Sequence, residues 1–398
     1  MLAFKCWWRN GIFTCLPRVT TWHQYSTSLN PKVKLCEVPG VCSSEEWNSV
    51  VRESCAALQN LAPLNRMKRH QTSTVSMHRV IRRLQQSSRN NDYLINTFKQ
   101  LLTNSEVTST ELRWPGLITL LLSRSIGNPF EANNFVSKAL EDVIWSSQVT
   151  LAEIVNLLYC NFLFQKENQR LTLSKRTGVR RGATKNEVDR LVNHYFICSV
   201  LRKMSSLEND KVLFLFAKVL ESFATARSSS EVASHCIHNL KTWEQDTFYP
   251  QGLLLATGCQ STLELAGYDE KFQQLAFEFG RYFTLAIKAN AEIQQFLNYQ
   301  TALSSVINVS SFPVALHLSN NPETLAYLYR CRQTLSNLDY SALNAILITN
   351  ATMDNARKQL KAYVEKATSI FQEFHNFENL EVAEHLMKLV RTLENINE

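Results

Sequence analysis

Glycine and proline are scarce in this chain of 398 residues, which contains only 10 glycines and 9 prolines. These two residues supply most tight turns, so their scarcity leaves long stretches of sequence uninterrupted. The scarcity argues against an all-β protein and favours helices. Because 45% of the residues are apolar, a chain of this length can bury a large core. The composition therefore predicts an all-α globular protein.

Paired cysteines and long apolar runs are also missing. The 10 cysteines are scattered from Cys6 to Cys331 without a C-x-x-C pair, so we expect reduced and mostly buried thiols. The densest apolar run, residues 116–122, is far shorter than the roughly 18 residues that a membrane-spanning helix needs. This predicts a soluble or peripheral protein. The net charge of +7 is modest for this length, and we expect no nucleic-acid partner.

The first 36 residues contain no acidic side chain, and the first acid is Glu37. They contain tryptophans, several Ser and Thr, and five basic residues: Lys5, Arg9, Arg18, Lys32 and Lys34. This composition is typical of an organellar transit peptide, and the alternative is an irregular basic tail. We therefore predict a transit peptide at residues 1–36 and a single domain at residues 37–398.

Helical periodicity recurs along the rest of the chain. Val212, Phe216, Val219 and Phe223 fall on one helical face, and the residues from Phe272 to Ala286 show the same period. These stripes predict buried core faces. We find no internal repeat, which argues against a solenoid.

Helix ends and loops are predicted from capping residues and polar clusters. Two pairs, Ser43 with Glu46 and Thr150 with Glu153, have the spacing of a capping box and predict helix starts. Four polar stretches predict loops or breaks. They are residues 125–134, 172–186, 227–230 and 309–321.

Sequence motifs of several common enzyme classes are missing as well. The chain has no G-x-G-x-x-G, Walker, G-x-S-x-G or kinase-like element, and no D-D-x-x-D. His235 and His238 lack a second ligand group at zinc-like spacing and are interpreted as helix-surface histidines. The basic stretch at residues 66–89 is either a solvated helix face or a docking surface for an acidic partner or an anionic membrane.

A set of segments that lies between residues 43 and 320 carries a family resemblance. They are residues 112–124, 151–154, 241–248, 252–256, 259–260, 264–266, 276–281 and 311–317. In their order and spacing these segments together resemble the trans-polyprenyl diphosphate synthase family, and within it the degenerate subunits that have lost their aspartates. The resemblance implies an all-α isoprenoid-synthase (trans-prenyltransferase) helical bundle.

Active members of that family place D-D-x-x-D on two facing helices, where the carboxylates hold magnesium against an allylic diphosphate. Both motifs are degenerate here. The first aligns with Lys166, Glu167, Asn168, Gln169 and Arg170, and the second with Ala291, Glu292, Ile293, Gln294 and Gln295. Each retains one carboxylate. The resemblance therefore implies that this chain has no catalytic residue and binds no metal or cofactor of its own.

Three arginines are the possible residual diphosphate contacts. Arg113 survives near the family's early basic element, and Arg180 and Arg181 resemble its R-R-G motif. The R-R-G match lies in a loop already rich in Lys and Arg, so a chance match is an open alternative. A further alternative is that Lys166 and Arg170, one helical turn apart, bind a diphosphate without metal.

The resemblance implies a non-catalytic or regulatory subunit of a heteromeric trans-polyprenyl diphosphate synthase. A catalytic polyprenyl diphosphate synthase subunit would supply both aspartate motifs and Mg²⁺, and the hetero-oligomer would make the ubiquinone side chain. We expect this chain in the mitochondrial matrix, with a possible peripheral contact with the inner membrane. Two alternatives are open: a residual prenyl-diphosphate-binding protein, and a membrane-docking adaptor without chemistry.

Overall fold

The described residues of the chain form α-helices, with no β-strand among them. The structure is a computed structural model. It describes residues 45–61, 113–127, 129, 138–174, 184–233, 239–301, 310–321, 323–324, 351–374 and 377–395. The prediction of an all-α protein is confirmed. All of the described helices belong to one compact unit, Cys36–Glu398.

The helices are numbered here in chain order. They are α1 Glu45–Leu61, α2 Trp114–Ile126, α3 Lys138–Ser174, α4 Thr184–Ser205, α5 Asp210–Ala233, α6 Leu240–Thr247, α7 Leu253–Ala266, α8 Glu270–Thr301, α9 Phe312–Asn320, α10 Thr352–Gln372 and α11 Leu380–Thr392. The segment Phe248–Gly252 joins α6 to α7, and the chain is kinked there because Tyr249 has non-helical backbone angles, φ −98° and ψ 120°.

Helix α7 lies at the centre of the bundle, in contact with α2, α3, α5 and α8. The contact with α8 is close because Gly280 has no side chain. A Cβ atom at Gly280 would lie 2.7 Å from Ala256 Cα and 2.9 Å from Ala256 N. This backbone-to-backbone packing sets the distance between α7 and α8, and α8 is the helix that carries the second degenerate motif.

Local sequence explains where several helices begin and end. Pro115 occupies the first turn of α2, where a missing N–H costs nothing. The side chain of Asn239 accepts a hydrogen bond of 2.9 Å from Thr242 N and caps α6. Asn379 caps α11 in the same way, through Val382 N at 3.0 Å. Gly267 ends α7 with a left-handed φ of 85°, which favours glycine.

Three boundary predictions were wrong. Thr150 and Glu153 do not start a helix but lie inside α3, where the Thr150 hydroxyl bonds to Ser146 O and Glu153 pairs with Lys203. Residues 227–230 do not interrupt α5, which runs on to Ala233. The polar spacing and serine content that suggested these ends were local signals, and tertiary packing of the long helices overrides them.

The third wrong boundary concerns Pro313. We interpreted residues 309–321 as a polar break, but they contain helix α9 with Pro313 in its first turn. Proline is well suited to that position because its φ is already helical. By contrast, the predicted connection at residues 172–186 agrees with the end of α3 and the start of α4.

The predicted core stripe on α5 is confirmed, and that on α8 is confirmed in part, because Phe279, Phe283 and Ala286 are buried whereas Phe272 and Leu275 are half-buried. Val212, Phe216, Val219 and Phe223 on α5 are buried. The stretch Val143–Gln165 within α3 is long and apolar enough to cross a bilayer by length and composition, which the search for continuous apolar runs did not reveal. Most of its residues are buried inside the protein, as expected for a core helix of the bundle.

Three predictions fall on residues that lie outside the described part of the chain. They are the transit peptide at residues 1–36, the basic stretch at residues 66–89, and the histidines His235 and His238. These remain predictions from sequence.

Candidate functional site

The first degenerate motif lies on α3, a continuous helix of 37 residues. Lys166 to Arg170 have helical backbone, but their side chains lie outside the described part. Just before them, Asn161 Nδ2 and Gln165 Nε2 both donate to Asn193 Oδ1 of α4, at 3.1 and 2.9 Å. Side-chain amides thus fix α3 against α4 at the start of the motif.

Trp114 connects the two helices that carry the motifs. Its indole N–H donates to the Tyr159 hydroxyl on α3 at 2.9 Å, and its ring stacks on Phe283 of α8 with centroids 5.9 Å apart. All three side chains are mainly buried, with Phe283 fully so. Aromatic packing therefore fills the space between α3 and α8 about two helical turns before each motif.

Apolar and amide side chains occupy most of the second motif on α8. Ala291 and Ile293 are buried in the core, Gln294 is buried, and Gln295 is half-buried. The neighbouring Asn290 Nδ2 donates to Leu393 O at 2.7 Å, just past the end of α11. This part of α8 is packed against other helices as a core element.

Glu292, the one carboxylate of the second motif, is only 7% exposed and accepts from three donors. Oε2 accepts from Trp243 Nε1 at 2.8 Å and from the backbone N of Phe312 at 2.6 Å. Oε1 lies 2.9 Å from Lys288 Nζ, one turn earlier on α8. Phe312 is the first residue of α9, so the carboxylate also faces the positive end of that helix. Its charge is fully engaged within the protein.

An aromatic cluster surrounds this carboxylate. The rings of Trp243 and Phe312 have centroids 4.7 Å apart, and Tyr363 of α10 lies 6.2 Å from Phe312. The Tyr363 hydroxyl donates to Glu244 Oε1 at 2.6 Å. Burial and the Glu244 carboxylate together raise the pKa of Tyr363, which stays a neutral donor. Glu292 therefore links α6, α8 and α9 directly, and Tyr363 of α10 completes the aromatic cluster around it.

The residues present do not fit the magnesium that active members of the resembled family hold. Mg²⁺ is bound through carboxylates, waters and substrate phosphates in near-octahedral geometry. At the second motif the single carboxylate is already bound by two N–H donors and an ammonium. At the first motif the single carboxylate, Glu167, lies in sequence between the cations Lys166 and Arg170. Among the described residues, no three His, Cys, Asp or Glu side chains gather where they could hold a metal ion.

Of the three arginines predicted as residual diphosphate contacts, the structure describes only Arg113, which precedes α2. Its backbone N donates to Asn156 Oδ1 at 3.1 Å. Its Nε and Nη2 atoms are buried and have no partner within the described part of the chain. Burial raises the pKa of the nearby Cys160 thiol to about 11, and Arg113 partly opposes this shift. Arg180 and Arg181 lie outside the described residues, so Arg113 is not shown to meet them.

Sequence reasoning missed the partners of Glu292. Lys288 and Glu292 have the i, i+4 spacing of a helical ion pair, which is a readable signal once α8 is accepted as a helix. Trp243 and Phe312 are 49 and 20 residues away from Glu292 in sequence. No local pattern predicts that they converge.

A groove of about 950 Å³ opens elsewhere, between α10 and α11. Its lining includes the apolar side chains of Phe371, Leu380 and Met387 together with acidic and basic side chains. None of its lining residues belongs to α3 or α8, so it is separate from both motif positions.

About half of the chain is similar in sequence to known polyprenyl-diphosphate synthases. No protein-family model matches the chain. It is 28% identical over 223 residues to the human all-trans-polyprenyl-diphosphate synthase PDSS2, and 26% identical over 236 residues to the mouse protein of that name. A decaprenyl-diphosphate synthase of Dictyostelium discoideum is 22% identical over 189 residues. These alignments cover 54%, 56% and 47% of this chain, and 55%, 59% and 40% of the relatives. The chain thus spans about half the length of the curated relatives it matches.

Solved structures show the same fold at lower sequence identity. A polyprenyl synthase from Caulobacter crescentus superposes with a TM-score of 0.57 at 13% identity, covering 87% of this chain and 98% of that one. A geranylgeranyl pyrophosphate synthase from Corynebacterium glutamicum gives 0.56 at 15% identity, covering 92% and 97%. The predicted all-α isoprenoid-synthase fold is therefore confirmed.

Proposed function

We propose, from the premise that this chain is a homologue of the all-trans-polyprenyl-diphosphate synthases with their all-α fold, that it is the non-catalytic subunit of a heteromeric synthase. In this proposal the complex condenses isopentenyl diphosphate onto an allylic diphosphate to make the ubiquinone side chain. In this proposal the chain acts in the mitochondrial matrix and contacts the inner membrane peripherally.

One observation carries the proposal, and it is the internal engagement of Glu292. Ionising an allylic diphosphate requires divalent ions that stabilise the leaving diphosphate. The only acid left at the second motif instead accepts from Trp243, Phe312 and Lys288. A carboxylate that joins three helices in this way, α6, α8 and α9, is not free to coordinate a metal.

The missing chemistry must then come from a second subunit. We propose that a catalytic polyprenyl diphosphate synthase subunit supplies both aspartate motifs and binds the Mg²⁺. This chain contributes its helical scaffold to assembly and binds no cofactor of its own.

The partner surface that we propose lies on α4 and α5, close to the turn that joins them. Leu201, Leu213 and Phe214 are large apolar side chains that are 47%, 43% and 62% exposed. On α5, Lys218 Nζ lies 4.7 Å from the centroid of the Phe214 ring, so an aromatic ring and a positive charge are presented together. We propose the catalytic subunit as the partner that covers these side chains.

An elongation assay tests the proposal. The purified chain, incubated with Mg²⁺, isopentenyl diphosphate and farnesyl or geranylgeranyl diphosphate, is expected to give no longer product. The same chain co-expressed with its catalytic partner is expected to give long-chain polyprenyl diphosphate. Magnesium-dependent turnover by the isolated chain would refute the proposal.

A second candidate function, retained binding of a prenyl diphosphate, is favoured by Arg113 alone. Its buried Nε and Nη2 atoms lack partners in the described part. Glu292 does not belong to such a site, because its oxygens are engaged elsewhere. Titration of the isolated chain with a non-hydrolysable prenyl diphosphate analogue tests this candidate. Saturable binding that Arg113→Gln abolishes would support it, and no heat of binding would reject it.

The third possibility, a membrane-docking adaptor, depends on the basic stretch at residues 66–89. It is tested by measuring how the chain binds liposomes after the arginines of that stretch are replaced by uncharged residues.

A further inference from the structure

We propose that the ammonium of Lys288 takes the electrostatic place of a divalent ion at the second motif, so that this chain keeps its α6, α8, α9 and α10 junction without metal. The inference concerns the folded chain alone. It does not rest on the subunit role proposed above, and each can fail without the other.

The argument begins with the cost of burying Glu292. A carboxylate that is only 7% exposed requires compensation by hydrogen bonds and an opposite charge. The two N–H groups on Oε2 supply hydrogen bonds, but neither carries a full charge. Lys288 Nζ, 2.9 Å from Oε1, supplies the full positive charge.

The position of Lys288 makes it a resident cation. It lies four residues before Glu292 on the same helix, so α8 itself fixes the distance between the two charges. Its side chain is 28% exposed, whereas that of Glu292 is 8% exposed. The ammonium is therefore the more exposed member of the pair. A metal ion approaching Oε1 would have to displace it and face its charge.

The compensated carboxylate in turn positions two other helices. Through Oε2 it orients the Trp243 indole of α6 and the first N–H of α9 at Phe312. If the Lys288 charge were lost, these contacts would be strained by an uncompensated buried anion. Lys288 is thus a positioning residue that acts through Glu292.

Thermal unfolding of the full chain in EDTA and in excess MgCl₂ or MnCl₂ tests the inference. The wild-type midpoint is expected to be the same in both. Lys288→Glu places two carboxylates one turn apart, and we expect its midpoint in EDTA to fall on the order of 5 °C. Divalent ions should recover part of that loss, because the two acids can then share a metal. The matched control, Lys288→Gln, should lose stability without any recovery.

Two results would overturn the inference. One is a wild-type midpoint that rises with Mg²⁺ and no longer does so in Glu292→Gln. The other is a Lys288→Gln chain as stable as the wild type. If Lys288→Glu fails to fold, the wild-type and Lys288→Gln measurements still decide the matter. The unfolding midpoint of the chain does not depend on elongation activity. Its result therefore stands whether the complex with the catalytic subunit is active or inactive.

Discussion

The indole Nε1 of Trp243 lies 2.8 Å from Oε2 of Glu292, and this hydrogen bond joins α6 to the second degenerate motif on α8. Both residues are almost completely buried, at 2% and 7% exposure. A residue that aligns with a magnesium ligand in the resembled family is here part of the core. Removing this hydrogen bond therefore tests directly how α6 packs against α8.

Replacing Trp243 by phenylalanine removes the indole donor but keeps an aromatic ring. We expect the free energy of unfolding to fall by about 1–3 kcal/mol, because a buried carboxylate oxygen loses a partner. Urea unfolding followed by circular dichroism measures the change. Trp145→Phe is the matched control, since Trp145 is half-buried and its ring contacts the Arg124 guanidinium. If Trp145→Phe lowers the free energy of unfolding as much as Trp243→Phe does, the hydrogen bond from Trp243 to Glu292 does not contribute the expected stability.

Gly280→Ala tests the close contact between α7 and α8. The new Cβ would lie 2.7 Å from Ala256 Cα, a backbone atom that cannot move aside cheaply. We expect a loss of about 1–3 kcal/mol of stability from overpacking. Lys271→Ala, on the exposed first turn of α8, is the control and should be nearly neutral. A Gly280→Ala chain as stable as the wild type would show that the two helices are not in this contact.

His317 makes stability depend on pH. It is buried on α9, and its Nδ1 lies 2.8 Å from the Thr352 hydroxyl on α10. Burial lowers its pKa below the usual value of 6.5, so the folded state favours the neutral ring. The unfolded state then binds more protons below pH 6.5, and this contribution to stability is lost as the pH falls from there through the lowered pKa.

Unfolding midpoints between pH 5 and pH 8 measure this effect. The wild type is expected to lose stability more steeply below pH 6.5 than His317→Gln, which cannot be protonated. His194→Gln, at an exposed histidine on α4, is the control for the substitution itself. Parallel pH profiles for wild type and His317→Gln would rule out this contribution.

Thiol reactivity should distinguish the cysteines. Cys55, Cys160 and Cys259 form no disulfide and are buried, whereas Cys198 on α4 is exposed. Burial raises the pKa of Cys55 to about 11 and raises that of Cys259 as well, so neither is a thiolate at pH 8. Brief alkylation of the native chain, followed by peptide mass spectrometry, should modify Cys198 and spare the other three. Rapid labelling of Cys259 before unfolding would contradict the packing of α7.

The proposed partner surface is tested by Phe214→Asp on α5. Phe214 is 62% exposed, so the substitution should leave the isolated chain folded but reduce capture of the co-expressed catalytic subunit at least tenfold. The matched control is Leu380→Asp on α11. The apolar side chain of Leu380 is 64% exposed and lines the groove between α10 and α11. If Leu380→Asp disrupts the complex and Phe214→Asp does not, the partner binds the groove face instead.

Much of the fold follows from sequence, and the arrangement at Glu292 does not. The low glycine and proline content and the stripe from Val212 to Phe223 predict helices, because periodicity reports directly which face is buried. The loss of carboxylates from the second motif is equally evident from the sequence, which has Ala291 and Gln295 there. What becomes of the remaining Glu292 depends on contacts with Trp243 and Phe312, which only the packing of separate helices brings together.

The wrong boundaries have a related cause. Thr150 with Glu153 has the spacing of a capping box, yet α3 continues through it, since its buried face binds the segment into the bundle. Pro313 was interpreted as part of a break, although proline is also favoured in the first turn of a helix. A short motif allows both outcomes, and the surrounding helices decide between them.

The most direct measurement is the elongation activity of the assembled complex in which the catalytic partner's first aspartate motif is changed to asparagines. The partner's scaffold and the complex remain, so this chain is then the only possible source of turnover. The account predicts no polyprenyl product above background, with full activity when the unmodified partner is used. Magnesium-dependent product from the complex with the disabled partner would contradict it.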